Sequence, residues 1–452
     1  MQGIGFCLYF NAMRRLLPFL LIIILLFSAG CSVLQQLSGD TAVSPTATPT
    51  NLPPTPTSPP GSTPAPETAE TITDTTTTLT VWIAPEIYSA TQEGTAILEN
   101  QLQSFQNTHP DIQLIYEAKA ISGQGSILNY LRVSKNMAPT ILPDLVAIPA
   151  EQLDTGFNEG LLFPLNGLMP TEKVEDLYPA AVEIAVRDTN IRGYPFILTG
   201  LPHLAYNNGV YSDTVPTTWP EFIDLPDQHF AFPASGSAGA TLALELYLAA
   251  GGTLTNEAGQ QELQLEPLIT ALEQLENGRR NEFILAQSSN IVTLQDTWRL
   301  LDNGSVTFVQ TNANQFLTEQ NADLPLRYQG IPGIDHSLIP LVNGWVWAVS
   351  TTDPAKQQLA VELMQLLIEP DNLGEWSTAS DHLPSRQSAL ATWPADNPYV
   401  IFSRQQLQAA NLHPLPASSK IMTELGNAVF DVISLEKTPQ VAAEDTILAL
   451  QE

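Results

Sequence analysis

One segment of the chain separates two parts that cannot fold in the same way. Residues 41–78 are nearly all Thr, Pro, Ser and Ala, with almost no large apolar side chains. Such a segment cannot bury enough apolar surface to form a core, so its composition predicts a disordered, semi-extended tether. The folded part of the protein must therefore follow it, and the composition changes abruptly at Leu79.

The one long apolar run lies on the other side of this segment. It extends from Leu16 to Phe27, follows Arg14 and Arg15, and leads through small residues to Cys31. Positive, apolar and small-residue regions in this order are typical of a secretory signal. A run of about 12 apolar residues is short for a hydrocarbon core that needs roughly 20. An uncleaved anchor that extends to Leu34 is the alternative.

The small residues before Cys31 resemble the lipobox of bacterial lipoproteins, which implies that Cys31 is lipidated and becomes the N-terminus. Residues 1–30 are then a signal peptide, with Met13 as an alternative start, and residues 31–78 form the tether. We expect the protein to be anchored by lipid at the extracytoplasmic face of the cell membrane. Cys7 is removed with the signal, so no internal disulfide is expected.

Charge and missing motifs exclude several classes of function. The chain has 17 Lys and Arg against 47 Asp and Glu, a net charge of −30, which argues against nucleic acid as a partner. It has no Gly-rich phosphate loop, no HExxH, no GxSxG, no CxxC and no EF-hand loop. We therefore expect no metal, no cofactor and no catalytic residue. The six histidines lie singly, a pattern that predicts surface or core positions, and for His203 a surface position is favoured.

Hydrophobic patterning after Thr78 predicts alternating strands and helices. Residues 79–84, 91–108 and 112–117 indicate a β-α-β unit. Further strands are predicted at 144–148, 229–233, 305–310, 326–331 and 342–350, and further helices at 239–250, 263–278, 290–301 and 354–368. This order predicts largely parallel sheets with helices on both faces. Because a single core stops growing at about 250 to 300 residues, we expect two lobes.

Short segments from Leu79 onward occur in an order that resembles extracellular solute-binding proteins of family 1, the maltose-binding-protein-like sugar receptors of ABC importers. The segments are Leu79–Trp82, Phe105–Ile112, Pro143–Leu145, Gly160–Leu165, Arg192–Phe196, Leu204–Asn207, Thr218–Phe222, Gly344–Ser350 and His382–Arg386.

The resemblance implies a periplasmic-binding-protein type II fold of the α/β class, with two doubly wound lobes joined by a hinge. Lobe I is then 79–196 with 332–375, and lobe II is 197–331 with 376–452. Crossing segments are expected near 194–201 and 326–332, and the ligand is expected in the cleft between the lobes. A monomer that delivers its ligand to an ABC permease is implied.

Ligands of open parallel sheets bind at the carboxyl ends of strands, so the loops there supply the candidate residues. Amide, hydroxyl and carboxylate groups suit the hydroxyls of a neutral sugar, and flat aromatic side chains suit its C–H face. The polar candidates are Glu86, Glu151, Asp154, Ser235, Asn312 and Asn314, and the aromatic ones are Tyr88, Trp345 and Trp376. Trp345 and Trp347 alternate on one strand, and the resemblance assigns Trp345 to the cleft.

The absence of an Arg cluster in these loops argues against phosphate and favours a neutral mono- or oligosaccharide. The carboxylates of Glu86, Glu151 and Asp154 leave open a receptor for a polyamine or another cation. Two further alternatives are an enzyme that acts on glycosides through paired carboxylates and a sensor subunit that keeps the same fold.

Overall fold

The computed structural model describes residues 77–451, apart from residues 136, 138–140, 257 and 321–323. The predicted signal peptide, Cys31 and nearly all of the predicted tether lie outside the described residues. None of the helices in the described part has the length and hydrophobicity that a membrane crossing requires.

The strands follow the predicted order, with additional short ones. They are β1 (Thr77–Ile83), β2 (Ile112–Ala118), β3 (Leu145–Pro149), β4 (Val186–Arg187), β5 (Asn190–Ile191), β6 (Tyr194–Gly200), β7 (His203–Asn207), β8 (Phe230–Ala231), β9 (Phe308–Thr311), β10 (Leu326–Gln329), β11 (Leu341–Val349), β12 (Leu383–Pro384) and β13 (Asn411–Leu412).

The helices are α1 (Pro85–Tyr88), α2 (Gln92–Thr108), α3 (Ile127–Ser134), α4 (Leu153–Asn158), α5 (Thr171–Glu175), α6 (Pro179–Ala185), α7 (Trp219–Ile223), α8 (Ser237–Ala249), α9 (Leu265–Arg280), α10 (Leu294–Asp302), α11 (Ala313–Glu319), α12 (Pro354–Leu367), α13 (Pro370–Ala379), α14 (Gln387–Leu390), α15 (Pro398–Ala409), α16 (Lys420–Ile433) and α17 (Pro439–Gln451). Helix α12 begins as the sequence predicts, because Asp353 accepts hydrogen bonds from the amides of Ala355 and Lys356 and Pro354 occupies the first helical position.

Two main sheets carry the fold. The larger has the order β12-β6-β11-β3-β1-β2, with β13 beside β11, and the smaller has the order β10-β7-β9-β8. Strand β1 is parallel to β2 and β3, whereas β11 is antiparallel to both β3 and β6. The α/β class is confirmed, but the sheets are mixed rather than largely parallel. In the larger sheet, β11 enters from the other lobe and runs against its neighbours. In the smaller sheet, β7 is antiparallel to both β9 and β10.

A separate hydrophobic core lies against each sheet. The core of the larger sheet includes residues from Leu79 to Leu201 and from Val342 to Ala410, and that of the smaller sheet includes residues from Leu204 to Leu341 and from Leu415 to Ala443. The predicted division placed 376–452 in the second lobe. In the structure β12 pairs with β6 and β13 with β11, so both of these strands belong to the larger sheet. Helix α15 between them packs on both lobes: Val400 and Leu407 join the core of the larger sheet, whereas Tyr399 lies in a third cluster with Ala205 and Val309 of the smaller sheet.

The chain passes between the two sheets at three places, and all three meet at the start of β11. The first is Leu201, whose amide donates to the carbonyl of Leu341 at 3.3 Å. The second is Leu341 itself, and the third is His413, whose amide donates to the carbonyl of Val342 at 2.7 Å. Gly200 has a φ of +87° here, and a Cβ would lie 3.0 Å from the Leu341 carbonyl. Glycine is therefore required at this crossing.

Helix α8 of the smaller lobe holds this junction through a buried carboxyl group. Oε1 of Glu245 accepts a hydrogen bond from the amide of Leu341 at 3.0 Å, and Glu245 is only 3% exposed. Burial raises the pKa of Glu245 to about 8. The carboxyl group is therefore largely protonated at neutral pH, when an exposed glutamate would be ionised.

Replacing Glu245 by Gln should flatten the pH dependence of stability. The pKa in the folded protein, about 8, exceeds the ordinary 4.5, so the folded state holds an extra proton between these values and loses stability as the pH rises through them. The free energy of unfolding of Glu245→Gln, relative to that of wild type, should therefore rise by about 1.4 kcal/mol per pH unit between roughly pH 5 and 8, measured by urea denaturation. The exposed Glu273→Gln on α9 is the control, and parallel curves for all three proteins would contradict the assignment.

Candidate functional site

A large cavity lies against the three crossings. It has a volume of about 490 Å³, within the range of small-molecule sites. Its walls come from the crossings, the start of α8, the start of α10, the end of β9 with the start of α11, and the segment after β13. The lining residues are Thr199, Gly200, Pro202, Ser237, Ala238, Thr241, Val292–Gln295, Gln310–Asn312, Gln315, Leu341–Asn343, His413, Leu415, Ala417 and Met422.

The chemistry of this cavity is neutral. None of its described lining residues is Asp, Glu, Lys or Arg, and none is Phe, Tyr or Trp. Hydroxyl and amide groups of Thr, Ser, Gln and Asn alternate with aliphatic side chains. Such groups both donate and accept hydrogen bonds without carrying charge, so the cavity suits an uncharged polar ligand.

Hydrogen bonds fix the amides along one wall. Asn312 caps helix α11 by accepting from the amide of Gln315 at 2.9 Å. The side chain of Gln315 in turn donates to Oε1 of Gln295 at 2.9 Å, and that of Gln310 donates to the carbonyl of Ala238 at 3.2 Å. The wall is thus ordered before any ligand arrives, which lowers the entropic cost of binding.

A smaller cavity of about 160 Å³ adjoins this larger cavity and carries the charged side chains. Glu151, Asp154 and Arg187 line it. Asn343, His413 and Leu415 line both cavities, so the two are compartments of one cleft.

The carboxylate of Asp154 is already paired. Nη1 of Arg192 donates to its Oδ1 at 2.8 Å, and Nε of Arg187 lies 3.9 Å from its Oδ2. Two guanidinium groups therefore offset the charge of Asp154, and the smaller cavity has little net negative charge to attract a cation.

Four of the predicted site residues lie at or beside this cleft. Asn312 lines the larger cavity, and Glu151 and Asp154 line the smaller one. Ser235 lines a third cavity of about 380 Å³, which shares Ser237, Ala417 and Met422 with the larger one. Its hydroxyl group already donates to the carbonyl of Ser289.

The other five predicted residues line neither compartment of the cleft. Glu86 is exposed in the first turn of α1, and the hydroxyl of Tyr88 donates to Glu99, which raises the pKa of Tyr88. The side chain of Asn314 donates to the carbonyl of Asp381 at 2.9 Å and so links the two lobes.

The two tryptophans of that group pack with the core of the larger sheet. Trp376 is 4% exposed and lies beside Phe196, with ring centroids 5.8 Å apart. Trp345 is half-buried, and its strand neighbours are Pro149 and Ile197. Trp347 is buried and stacks on Phe196, as the alternation along β11 requires.

Sequence reasoning missed His413 and misplaced His203. His413 was expected at the surface or in a core, yet it lines both compartments of the cleft. A surface position was favoured for His203, but His203 is fully buried beside the first crossing, and burial lowers its pKa to about 4. Neither histidine has a motif around it, so no local signal distinguishes them. Among the described residues, no group of three His, Cys, Asp or Glu side chains could hold a metal ion.

The sequence identifies the family. Residues 101–399 match the model of the bacterial extracellular solute-binding proteins. The chain belongs to this family. Membership confirms the resemblance noted in the sequence and implies an extracytoplasmic location. No curated protein sequence matches the chain.

Solved structures of sugar-binding proteins share the fold at low sequence identity. The cyclic alpha-maltosyl-1,6-maltose binding protein from Arthrobacter globiformis is 16% identical, with a TM-score of 0.66 over 82% of this chain and 97% of that one. Maltose-bound MalE3 of T. maritima is 15% identical, with a TM-score of 0.63 over 83% and 99%. The maltose-maltodextrin binding protein of Alicyclobacillus acidocaldarius is 16% identical, with a TM-score of 0.60 over 83% and 100%.

These similarities confirm the two-lobed periplasmic-binding-protein fold. The family and the similar structures are binding proteins rather than enzymes.

The two tryptophans should differ in their contribution to stability. Trp376→Ala empties a position in the core and should lower the free energy of unfolding by about 3 to 5 kcal/mol, measured by urea denaturation. Trp345→Ala removes a half-buried side chain and should cost clearly less. Equal losses, or a smaller loss for Trp376→Ala, would contradict the packing described here.

Proposed function

We propose that this protein is an extracytoplasmic receptor that captures an uncharged saccharide between its lobes and delivers it to an ABC import permease. The observation that carries the proposal is the neutral, amide-rich cavity of about 490 Å³ at the three crossings. Such a volume suits a mono- or disaccharide, since pockets of roughly 300 to 1,000 Å³ hold small ligands. The similar structures are those of proteins named for binding maltose and related sugars, which supports this ligand class.

Capture requires the lobes to move. The crossings join the lobes through only a few residues, and hinges of this kind absorb backbone changes at the ends of strands. We infer that Leu201, Leu341 and His413 form the hinge and that the lobes close over the sugar. Differential affinity for the closed state then drives closure.

The remaining features of the proposal concern the cell surface. We propose that Cys31 is lipidated and that residues 31–78 tether a monomeric receptor to the membrane, within reach of its permease. The order of basic, apolar and small residues before Cys31 supports this. The receptor makes and breaks no bond in its ligand.

The paired state of Asp154 weighs against the two other ligand-site hypotheses. A cation receptor needs uncompensated carboxylates, and a glycosidase needs two carboxyl groups free to act as acid and base or nucleophile. Arg192 and Arg187 lie against Asp154, so Glu151 is left without a second free carboxylate among the residues that line the smaller cavity.

Titration calorimetry with glucose, maltose, maltotriose, maltotetraose and spermidine tests the proposal. At least one saccharide should bind, and spermidine should not. Gln315→Leu removes an amide from the cavity wall and should weaken saccharide binding about 5- to 150-fold, because one lost hydrogen bond with a desolvated partner costs about 1 to 3 kcal/mol. The matched control is Gln103→Leu on the exposed face of α2. Binding of spermidine alone, or equal affinities in the two variants, would contradict the proposal.

A further inference from the structure

His413 is held in place at the boundary between the two compartments of the cleft. Its backbone amide donates to Val342 at the start of β11, and it follows directly after strand β13. Its side chain lines both compartments. A group at this boundary can contact a ligand that occupies either compartment.

A hydrogen bond also fixes which nitrogen of the ring carries the proton. The amide of Leu415 donates to Nδ1 of His413 at 3.3 Å. A neutral imidazole has one acceptor nitrogen and one N–H donor, so acceptance at Nδ1 leaves the proton on Nε2. No described residue forms a hydrogen bond with Nε2.

We propose that His413 is a specificity-determining ligand contact, which donates from Nε2 of its neutral ring to an oxygen of the captured saccharide. This inference rests on the proposed function and deepens it. An N–H donor requires an acceptor oxygen in the ligand, and a protonated amine offers none. His413 therefore selects hydroxyl-bearing ligands over polyamines, and the larger cavity around it supplies no compensating negative charge.

Few titratable groups surround the ring. The smaller cavity contributes Glu151, Asp154 and Arg187. Helix α6, which packs against β13, carries the exposed Glu183. Helix α16, which brings Met422 to the larger cavity, begins with Lys420. Asp154 is offset by Arg192 and Arg187, so Glu151 is the acidic group in that cavity that forms no ion pair with a described residue.

The geometry makes binding sensitive to acid. Protonation places a second N–H on Nδ1, opposite the amide of Leu415, and two donors cannot share that hydrogen bond. The ring must then turn away or lose its support. Burial lowers the pKa of His413. Ligand binding should accordingly be constant near neutral pH and weaken only at a pH below the ordinary range of histidine.

Two substitutions distinguish the effect of the N–H donor of His413 from the effect of the protonation of its ring. His413→Gln keeps an N–H donor near the position of Nε2 but does not titrate, whereas His413→Leu keeps the approximate volume and removes the donor. Calorimetry from about pH 8 to pH 5 uses whichever of glucose, maltose, maltotriose and maltotetraose binds wild type most tightly. His413→Leu should weaken binding about tenfold near neutral pH, and His413→Gln should stay within about threefold of wild type and lose the decline in acid.

The outcomes separate this inference from the proposed function. If wild type binds a saccharide and His413→Leu matches it in affinity and pH profile, the role of His413 is overturned and the proposed function stands. Wild type that binds none of the four saccharides overturns the proposed function.

A measurement without ligand tests the ring itself. Long-range ¹H–¹⁵N spectra of the full chain show the tautomer and the pKa of each histidine, and the signal that is lost in His413→Gln identifies His413. An Nε2–H ring with a lowered pKa is expected. An Nδ1–H ring, or a ring protonated at neutral pH, would overturn the inference whatever the ligand.

Discussion

The structure depends on a junction of three backbone segments at the start of β11. The amide of Leu201 bonds to the carbonyl of Leu341, and the amide of His413 bonds to the carbonyl of Val342. These bonds join distant parts of the chain: Leu201 and Leu341 are more than a hundred residues apart, and Val342 and His413 some seventy. Most of each lobe packs around its own core, although Tyr399 of α15 packs with the smaller sheet. The crossings are where the two lobes are covalently connected and where a hinge can bend.

The position of the cavity follows from the same junction. Because the crossings form its floor, a ligand there contacts the hinge and the second lobe at once. The chain carries a net charge of −30, yet the described lining of the larger cavity carries no carboxylate and no basic side chain apart from the imidazole of His413. The acidity of the chain therefore lies outside the larger cavity, and Glu151 and Asp154 bring part of it to the smaller one.

Local patterns predicted the elements well and the site only in part. The strand that contains Leu79 and the helix that begins at Pro354 follow from alternation, capping and proline, which act within a few residues. Asn312 and Asn314 show the limit of such reasoning. They have nearly the same chemistry and lie two positions apart at the start of a helix, where side chains point to different sides. Asn312 lines the cavity, while Asn314 bonds across to Asp381.

For a related reason, the sequence could not predict which distant parts of the chain meet in the structure. Nothing near Trp376 distinguishes an aromatic that packs in a core from one that could stack on a sugar. The second crossing was expected at 326–332 and lies at Leu341, because β10 remains paired with β7 in the smaller sheet. The role of His413 depends on the distant partner Val342, which no spacing reveals.

The most direct test of the central claim is a crystal structure of the protein with the saccharide that it binds most tightly in solution. The account predicts the sugar in the larger cavity, in contact with Gln315 and His413 and with both lobes closed over it. A sugar bound elsewhere, with solvent alone in that cavity, would contradict the account.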